Sequence, residues 1–246
     1  THLSGTGIGD LCDILFLPSM DEIKTSLPSP GESVAKLNHS GFSHSKERAH
    51  PGYYSVVLDN GVIAELTATP RCGIQRYTAC RDGLMNVVVD LGFAINWDRS
   101  DSCSLNWDRS SLTGMRVSTG WALKQFEFFA TKFSKEPVSV KMYDSGNISE
   151  GNSLNGKNIF CILSFDMKND ESLIVKTGMS AVDVQGAVSN LNAEADGWNF
   201  TEKSAEAMAS WQKALGAVNA SSADTAEEKV FYTALYHSMI APNLYN

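Results

Sequence analysis

No apolar run in this chain approaches the roughly 20 residues that a helix needs to cross a bilayer. The longest, Ile14-Leu15-Phe16-Leu17 and Val87-Val88-Val89, are of strand length, so no membrane-spanning helix is expected. Positive charge is also scarce. Twenty Lys and Arg against 28 Asp and Glu leave a net charge of −8, which repels phosphate backbones and anionic lipid surfaces. That excludes nucleic acid as the expected partner and points to one that is neutral or small. The 5 cysteines (Cys12, Cys72, Cys80, Cys103, Cys161) are odd in number, widely spaced and without a C-x-x-C, which excludes a disulfide framework and a zinc ribbon. Buried or free thiols are expected, with a single bridge from Cys72 to Cys80 across a short hairpin as the alternative. With 43% hydrophobic and 20% charged residues and no low-complexity tract, the composition is that of a folded globular chain. At about 150 residues per domain, its length accommodates one large domain or one and a half.

What the sequence does contain is a change of period. Up to about residue 179, short segments of strand character recur between turn residues: 11–17, 53–58, 62–68, 86–91, 115–119, 126–133, 138–142, 158–164 and 173–177. The clearest pair flanks Asp59-Asn60-Gly61, where Asn-Gly is expected to supply the positive φ angles of a primed hairpin turn. Strands that follow one another without helices point to two antiparallel sheets packed face to face, a β-sandwich. After Gly178 the period becomes about 3.6. Ser180 with Asp183 reads as a capping box ahead of Val184, Val188, Leu191 and Ala195. Asn199 opens a second helix with a stripe of Ala205, Met208, Trp211 and Leu215, and Thr225 with Glu228 opens a third carrying Phe231, Leu235 and Met239. The division predicted is a β-sandwich over 1–179, a helical linker over 180–220, and from 221 to 246 the start of an α-helical domain. Thr1 in first position and a helical pattern reaching almost to Asn246 are expected of a segment of a longer protein.

Several clusters could carry chemistry. The glycine-rich Thr1 to Asp10 stretch has the wrong flanks for a nucleotide loop, since a strand follows it and not a helix; it reads as a tight loop holding His2 and Asp10 at a rim. His39, His44 and His50 lie close together near Glu47, at spacings that match no zinc pattern. His237, between apolar turns of the third helix, reads as a satisfied core or interface histidine. Asp10, Asp13, Glu47, Asp90 and Asp98 are all formally available as a carboxylate pair, and spacing selects none of them. Asn96-Trp97-Asp98-Arg99-Ser100 is echoed by Asn106-Trp107-Asp108-Arg109-Ser110, which would make Trp97 and Trp107 either sheet-edge packing or a sugar-stacking platform.

Six segments in order carry a resemblance. They are THLSGTGIGD from Thr1, Phe42-Ser43-His44 with Glu47 and Pro51-Gly52-Tyr53-Tyr54, Ala64 to Thr69, Val89-Asp90-Leu91-Gly92, Ser118-Thr119-Gly120-Trp121-Ala122, and FYTALYH from Phe231 with Ala241-Pro242-Asn243-Leu244. Together they resemble glycoside hydrolase family 92. The resemblance implies a calcium-dependent, exo-acting α-mannosidase that inverts configuration on mannose-containing oligosaccharides such as N-glycans and mannans. It also implies an N-terminal supersandwich joined through helices to an (α/α)6 barrel, with the sugar site in the cleft between them.

The same resemblance places the general acid, the general base and most calcium contacts in the barrel, so no catalytic residue is carried onto this chain. What it carries over is a cleft border of His2, Gly5, Asp10, His44 and Glu47, with the chain's own barrel and the oligosaccharide as partners. Family members often have a bulkier acidic or amide residue where Ser45 follows His44. Bacterial members are exported, which implies a secreted, periplasmic or cell-surface location. Two other readings stand beside it: a carbohydrate-binding module working through Trp97 or Trp107, and a structural spacer.

Overall fold

The computed structural model describes residues 14–27, 32–94, 99–120 and 122–240. Its strands are β1 (Leu15–Ser19), β2 (Phe42–His50), β3 (Tyr53–Leu58), β4 (Val62–Ala68), β5 (Cys72–Ala79), β6 (Gly83–Asp90), β7 (Arg99–Trp107), β8 (Ser111–Thr119), β9 (Gln125–Phe133), β10 (Ser139–Asp144), β11 (Asn147–Ser149), β12 (Ser153–Gly156), β13 (Ile159–Met167) and β14 (Ser172–Ser180). A short α1 (Val34–Leu37) follows β1, and α2 (Val184–Glu194), α3 (Phe200–Leu215) and α4 (Thr225–Ser238) come last. The smaller sheet runs β1-β6-β13-β10-β11 and the larger β12-β7-β8-β9-β14-β5-β4-β3-β2, all neighbours antiparallel. This is the mainly β sandwich followed by helices that the period change predicts.

Alternation sorts the side chains into layers, because successive residues of a strand point to opposite faces. Between the sheets lie Val87, Val89, Cys161, Leu163 and Phe165 from one side and Ala64, Tyr77, Leu105, Leu112, Phe129 and Val175 from the other. On the outer face of the larger sheet, Cys72, Ile74, Ala130 and Ile174 pack under Ala187, Leu191, Ala195 and Phe200 of the helices. On the outer face of the smaller sheet, Val88, Phe160 and Ile162 are covered by Val34 of α1. Gly178 makes the helical cover possible: a Cβ there would overlap the Ala187 carbonyl and Leu191 Cβ, so only glycine lets α2 lie so close to β14.

The two sheets differ in width. The smaller sheet's edge strand β1 lies over β4, so β2 projects past its cover and all of its residues except Glu47 are exposed. This overhang is the feature that positions the candidate site.

Several local expectations need correction. Gly61 has φ +86° but Asn60 does not share a positive φ. The Gly61 amide donates to the Leu58 carbonyl at 3.2 Å, so the hairpin closes through an ordinary turn followed by a left-handed glycine. Asp183, not Ser180, caps α2, accepting from the Gly186 amide at 2.6 Å, while Ser180 still belongs to β14. Asp224, not Thr225, caps α4. On α3 the buried residues are Phe200 and Ser204; Met208 is exposed, and Trp211 turns to Tyr236 of α4 with ring centroids 4.7 Å apart. Cys72 and Cys80 are free, and they flank the two ends of a single strand, which rules out a bridge across a hairpin.

Candidate functional site

β2 is an edge strand with a distortion in it. Phe42 pairs with Leu58 and Glu47 with Val56, so Ser43, His44, Ser45 and Lys46 bulge out opposite Val57 alone. The bulge aims His44 away from the ladder, and its side chain is 87% exposed. Its Nδ1 nevertheless lies 2.6 Å from Glu47 Oε2, and the edge of one ring meets the face of the other where Phe42 and His44 approach to 5.3 Å at 84°. The Tyr54 hydroxyl donates to Glu47 Oε1 at 2.6 Å.

Glu47 pairs with Val56, an inter-sheet core residue, and Tyr54 packs against the same core. The tyrosine–carboxylate–imidazole chain therefore lies on the overhanging continuation of the inner face. The Tyr54 hydroxyl, and after it His44, hold the Glu47 carboxyl below the usual carboxylate range. Burial, reinforced by the Glu47 carboxylate, pushes the Tyr54 hydroxyl up to about 12. An ionised carboxylate can only accept hydrogen bonds, so Nδ1 of a neutral His44 carries the proton and Nε2 presents a lone pair to solvent.

The opposite face of the same hairpin is a strut. Arg76 grips Glu65 with Nε at 2.5 Å and Nη2 at 2.6 Å, and Tyr53 donates to Glu65 at 2.7 Å. The Arg76 guanidinium lies 4.5 Å from the Phe200 ring centre. The Tyr53 ring packs edge-on against Phe200 and stacks on His50 at 5.0 Å. The doublet Tyr53-Tyr54 thus serves both faces, one ring fastening α3 and the other holding Glu47.

Of the residues predicted to border a cleft, His44 and Glu47 are brought together, whereas His2, Gly5 and Asp10 lie outside the described residues, as do Asp13, Trp97 and Asp98. Trp107 is only 8% exposed and packs against Phe133 within the core, so it offers no stacking platform. His39 bonds the Lys36 carbonyl at 2.8 Å, and His50 stacks on Tyr53, so the three histidines do not converge. His237 is exposed on α4 beside Tyr236 and not buried in an interface of the described residues.

Asp90 is wholly buried. It accepts from Ser33 Oγ at 2.5 Å and from the Ala35 and Gly92 amides at 3.3 and 2.9 Å, fastening two loops. Burial outweighs these bonds and pushes its carboxyl up. Among the described residues no three His, Cys, Asp or Glu side chains gather as metal ligands. Sequence reasoning singled out neither Phe42 nor Tyr54 as site residues. The only signal for Tyr54 was its place in an alternating doublet, which sends it to the face of Glu47.

Residues 1–180 match the glycosyl hydrolase family 92 N-terminal domain, and residues 186–246 match the glycosyl hydrolase family 92 catalytic domain. A family 92 α-mannosidase from Bacteroides thetaiotaomicron is 33% identical over 100% of this chain and 34% of its own, with a TM-score of 0.90. A structure of it in complex with mannoimidazole gives 33% identity over 99% of this chain and 33% of the other, with a TM-score of 0.88. A secreted glycosidase of uncharacterised activity from Arthroderma benhamiae is 27% identical over 80% of this chain and 29% of its own length. The chain therefore spans about a third of these relatives.

Proposed function

Because the chain belongs to glycosyl hydrolase family 92, we propose that it forms the N-terminal wall of the sugar cleft in an inverting, calcium-dependent exo-α-mannosidase acting on α-1,2-linked mannose of N-glycans or mannans. The single observation carrying this reading is the likeness to a family 92 α-mannosidase along the whole chain at 33% identity. The reading divides the chain into a sandwich over 1–179, a linker over 180–220 and the first helix of an (α/α)6 barrel over 221–246. His44 and Glu47 on the overhang, with the loop of His2, Gly5 and Asp10, border the cleft. The secreted relative supports export of this protein as well.

In this reading the acid and base belong to the barrel. A carboxylic acid protonates the glycosidic oxygen while a carboxylate across the ring activates water, the two standing roughly 6.5 to 9.5 Å apart. Most calcium contacts belong to the barrel in this reading, and no step by these residues passes through the metal. The buried Trp107 gives no support to a free-standing binding module.

Mannose release from α-1,2-mannobiose, with calcium and after chelation, by the isolated chain and by the full-length gene product, tests the proposal. Release by the full-length protein alone, dependent on calcium, is expected. Cleavage by the isolated chain would place the carboxylate pair within these 246 residues and overturn the assignment to the barrel. Release unaffected by chelation would overturn the role of calcium.

A further inference from the structure

The chain Tyr54–Glu47–His44 ends in an atom, His44 Nε2, that bonds to none of the described residues. Each earlier member is spent inside: the Tyr54 hydroxyl on Glu47 Oε1, and the two Glu47 oxygens on Tyr54 and His44. His44 Nδ1 is spent on Glu47, and its ring meets that of Phe42 nearly at right angles. A side chain as exposed as His44 ordinarily pays rotamer entropy for every contact that holds it. Here two contacts hold one ring, on a bulge that departs from the ladder to carry it. Such a chain from a half-buried hydroxyl through a carboxylate to an imidazole fixes both ring orientation and tautomer, as the outer partners of functional histidines do. Phe42, itself 47% exposed, supplies an apolar surface next to the imidazole. That pairing of an aromatic surface with a directed acceptor suits a neutral polyhydroxylated ligand, whose rings have apolar faces and hydroxyl edges.

We propose that His44 contacts the oligosaccharide directly, its Nε2 accepting a hydrogen bond from a sugar hydroxyl, with Glu47 and Tyr54 as the positioning residues that fix its tautomer. The proposal rests on the mannosidase reading above and adds to it the atom, the direction of the bond and the two residues behind it. Glu47 is the sensitive position. An amide at that place can donate to Nδ1, which shifts the imidazole proton to Nε2 and turns the acceptor into a donor.

The test uses the full-length enzyme and α-1,2-mannobiose. His44→Ala and Glu47→Gln are each expected to raise KM about tenfold, the equivalent of about 1.4 kcal/mol, with kcat within about twofold of wild type and an unchanged Tm. Tyr54→Phe is expected to raise KM less, because Glu47 keeps its bond to His44. Lys46→Ala, in the same bulge, is expected to match wild type. Should His44→Ala lower Tm, the isosteric Glu47→Gln decides.

If wild type releases mannose and Glu47→Gln keeps its KM, this inference alone is overturned. If KM, kcat and Tm worsen together in Glu47→Gln, the histidine serves a contact between parts of the protein and the inference is likewise overturned. If the wild-type full-length protein releases no mannose, the proposed function itself fails, and the sugar contact with it.

Discussion

Leu191 of α2 sits against Gly178 of β14 at a distance that only a missing side chain permits: a Cβ on Gly178 would stand 2.8 Å from the Leu191 Cβ and 2.9 Å from its backbone nitrogen. The helix cannot retreat without uncovering Ile74, Ala130 and Ile174. Gly178→Val is therefore expected to unseat α2 and destabilise the domain, with a lowered urea midpoint as the readout. Leu191→Ala is expected to cost about 2–5 kcal/mol, the range for a fully buried leucine whose site cannot collapse. Because the two residues touch, their effects should not add. A double mutant as unstable as the sum of the singles would show that the close approach does not couple them.

Acid titration should expose the turn between β7 and β8. Asp108 accepts from the Ser110 amide and hydroxyl at 2.8 Å each, and from the Ser111 amide at 2.7 Å and hydroxyl at 2.9 Å. Partial burial works to raise its pKa, but these four bonds outweigh it and hold the carboxyl at about 2, below its ordinary 3.8. A lowered folded pKa means that the contribution to stability is present in full above the unfolded value. It is lost as the pH falls from about 4 through about 2. Asp108→Asn should flatten the stability curve in that window and leave it unchanged near neutrality in slope. A wild-type carboxyl resonance titrating near 4 would contradict the assignment.

The strut to α3 should be more costly to cut at Arg76 than at Thr201. Arg76→Ala leaves the Glu65 carboxylate, with a side chain only 13% exposed, facing Tyr53 alone, and it removes the cation over Phe200. A loss on the order of 1–3 kcal/mol is expected for a poorly solvated group deprived of its partner. Thr201→Ala removes one exposed bond of 3.3 Å to Arg76 and should fall within about 0.5 kcal/mol. Hydrogen exchange along α3 would locate the damage. Equal protection in the two variants would show that the guanidinium is not what fastens the helix.

Strands with a clean alternation or an unbroken apolar run were legible in the sequence; those with neither were not. β3 and β4 appear at the expected residues because Val56, Val62 and Ala64 alternate cleanly toward the core. β5 was hidden because it is central and covered on both sides. Cys72 and Ile74 face the helices while Tyr77 and Ala79 face the smaller sheet, so apolar residues change phase along the strand. β2 was hidden for the opposite reason: with neither face covered, no apolar period is imposed on it and it reads as a polar loop.

β7, whose outward positions carry Ser102, Ser104 and Asn106, shows its period only through Cys103, Leu105 and Trp107. At the site, the motif containing His44 and Glu47 was legible, whereas the contribution of Tyr54 depends on a cross-strand pairing that sequence distance does not reveal. The helix caps were displaced for a local reason. Ser180 ends β14 and accepts from the Val182 amide, Thr225 is already the first helical residue, and a carboxylate at Asp183 or Asp224 meets the positive end of the helix.

The bulge on β2 has a further consequence, for what the sheet does not do. A straight outermost strand offers its free amides and carbonyls to any other extended chain, which is how soluble β-proteins begin to polymerise. Here the last strand is bent out of register between Phe42 and Glu47, and Lys46 and Arg48 stand along it in solvent. A newcomer could not match that spacing for more than a few residues, and would bring its backbone against charge. The departure from regularity that lifts His44 outward also keeps another molecule from adding a tenth strand to this nine-stranded sheet at its β2 edge.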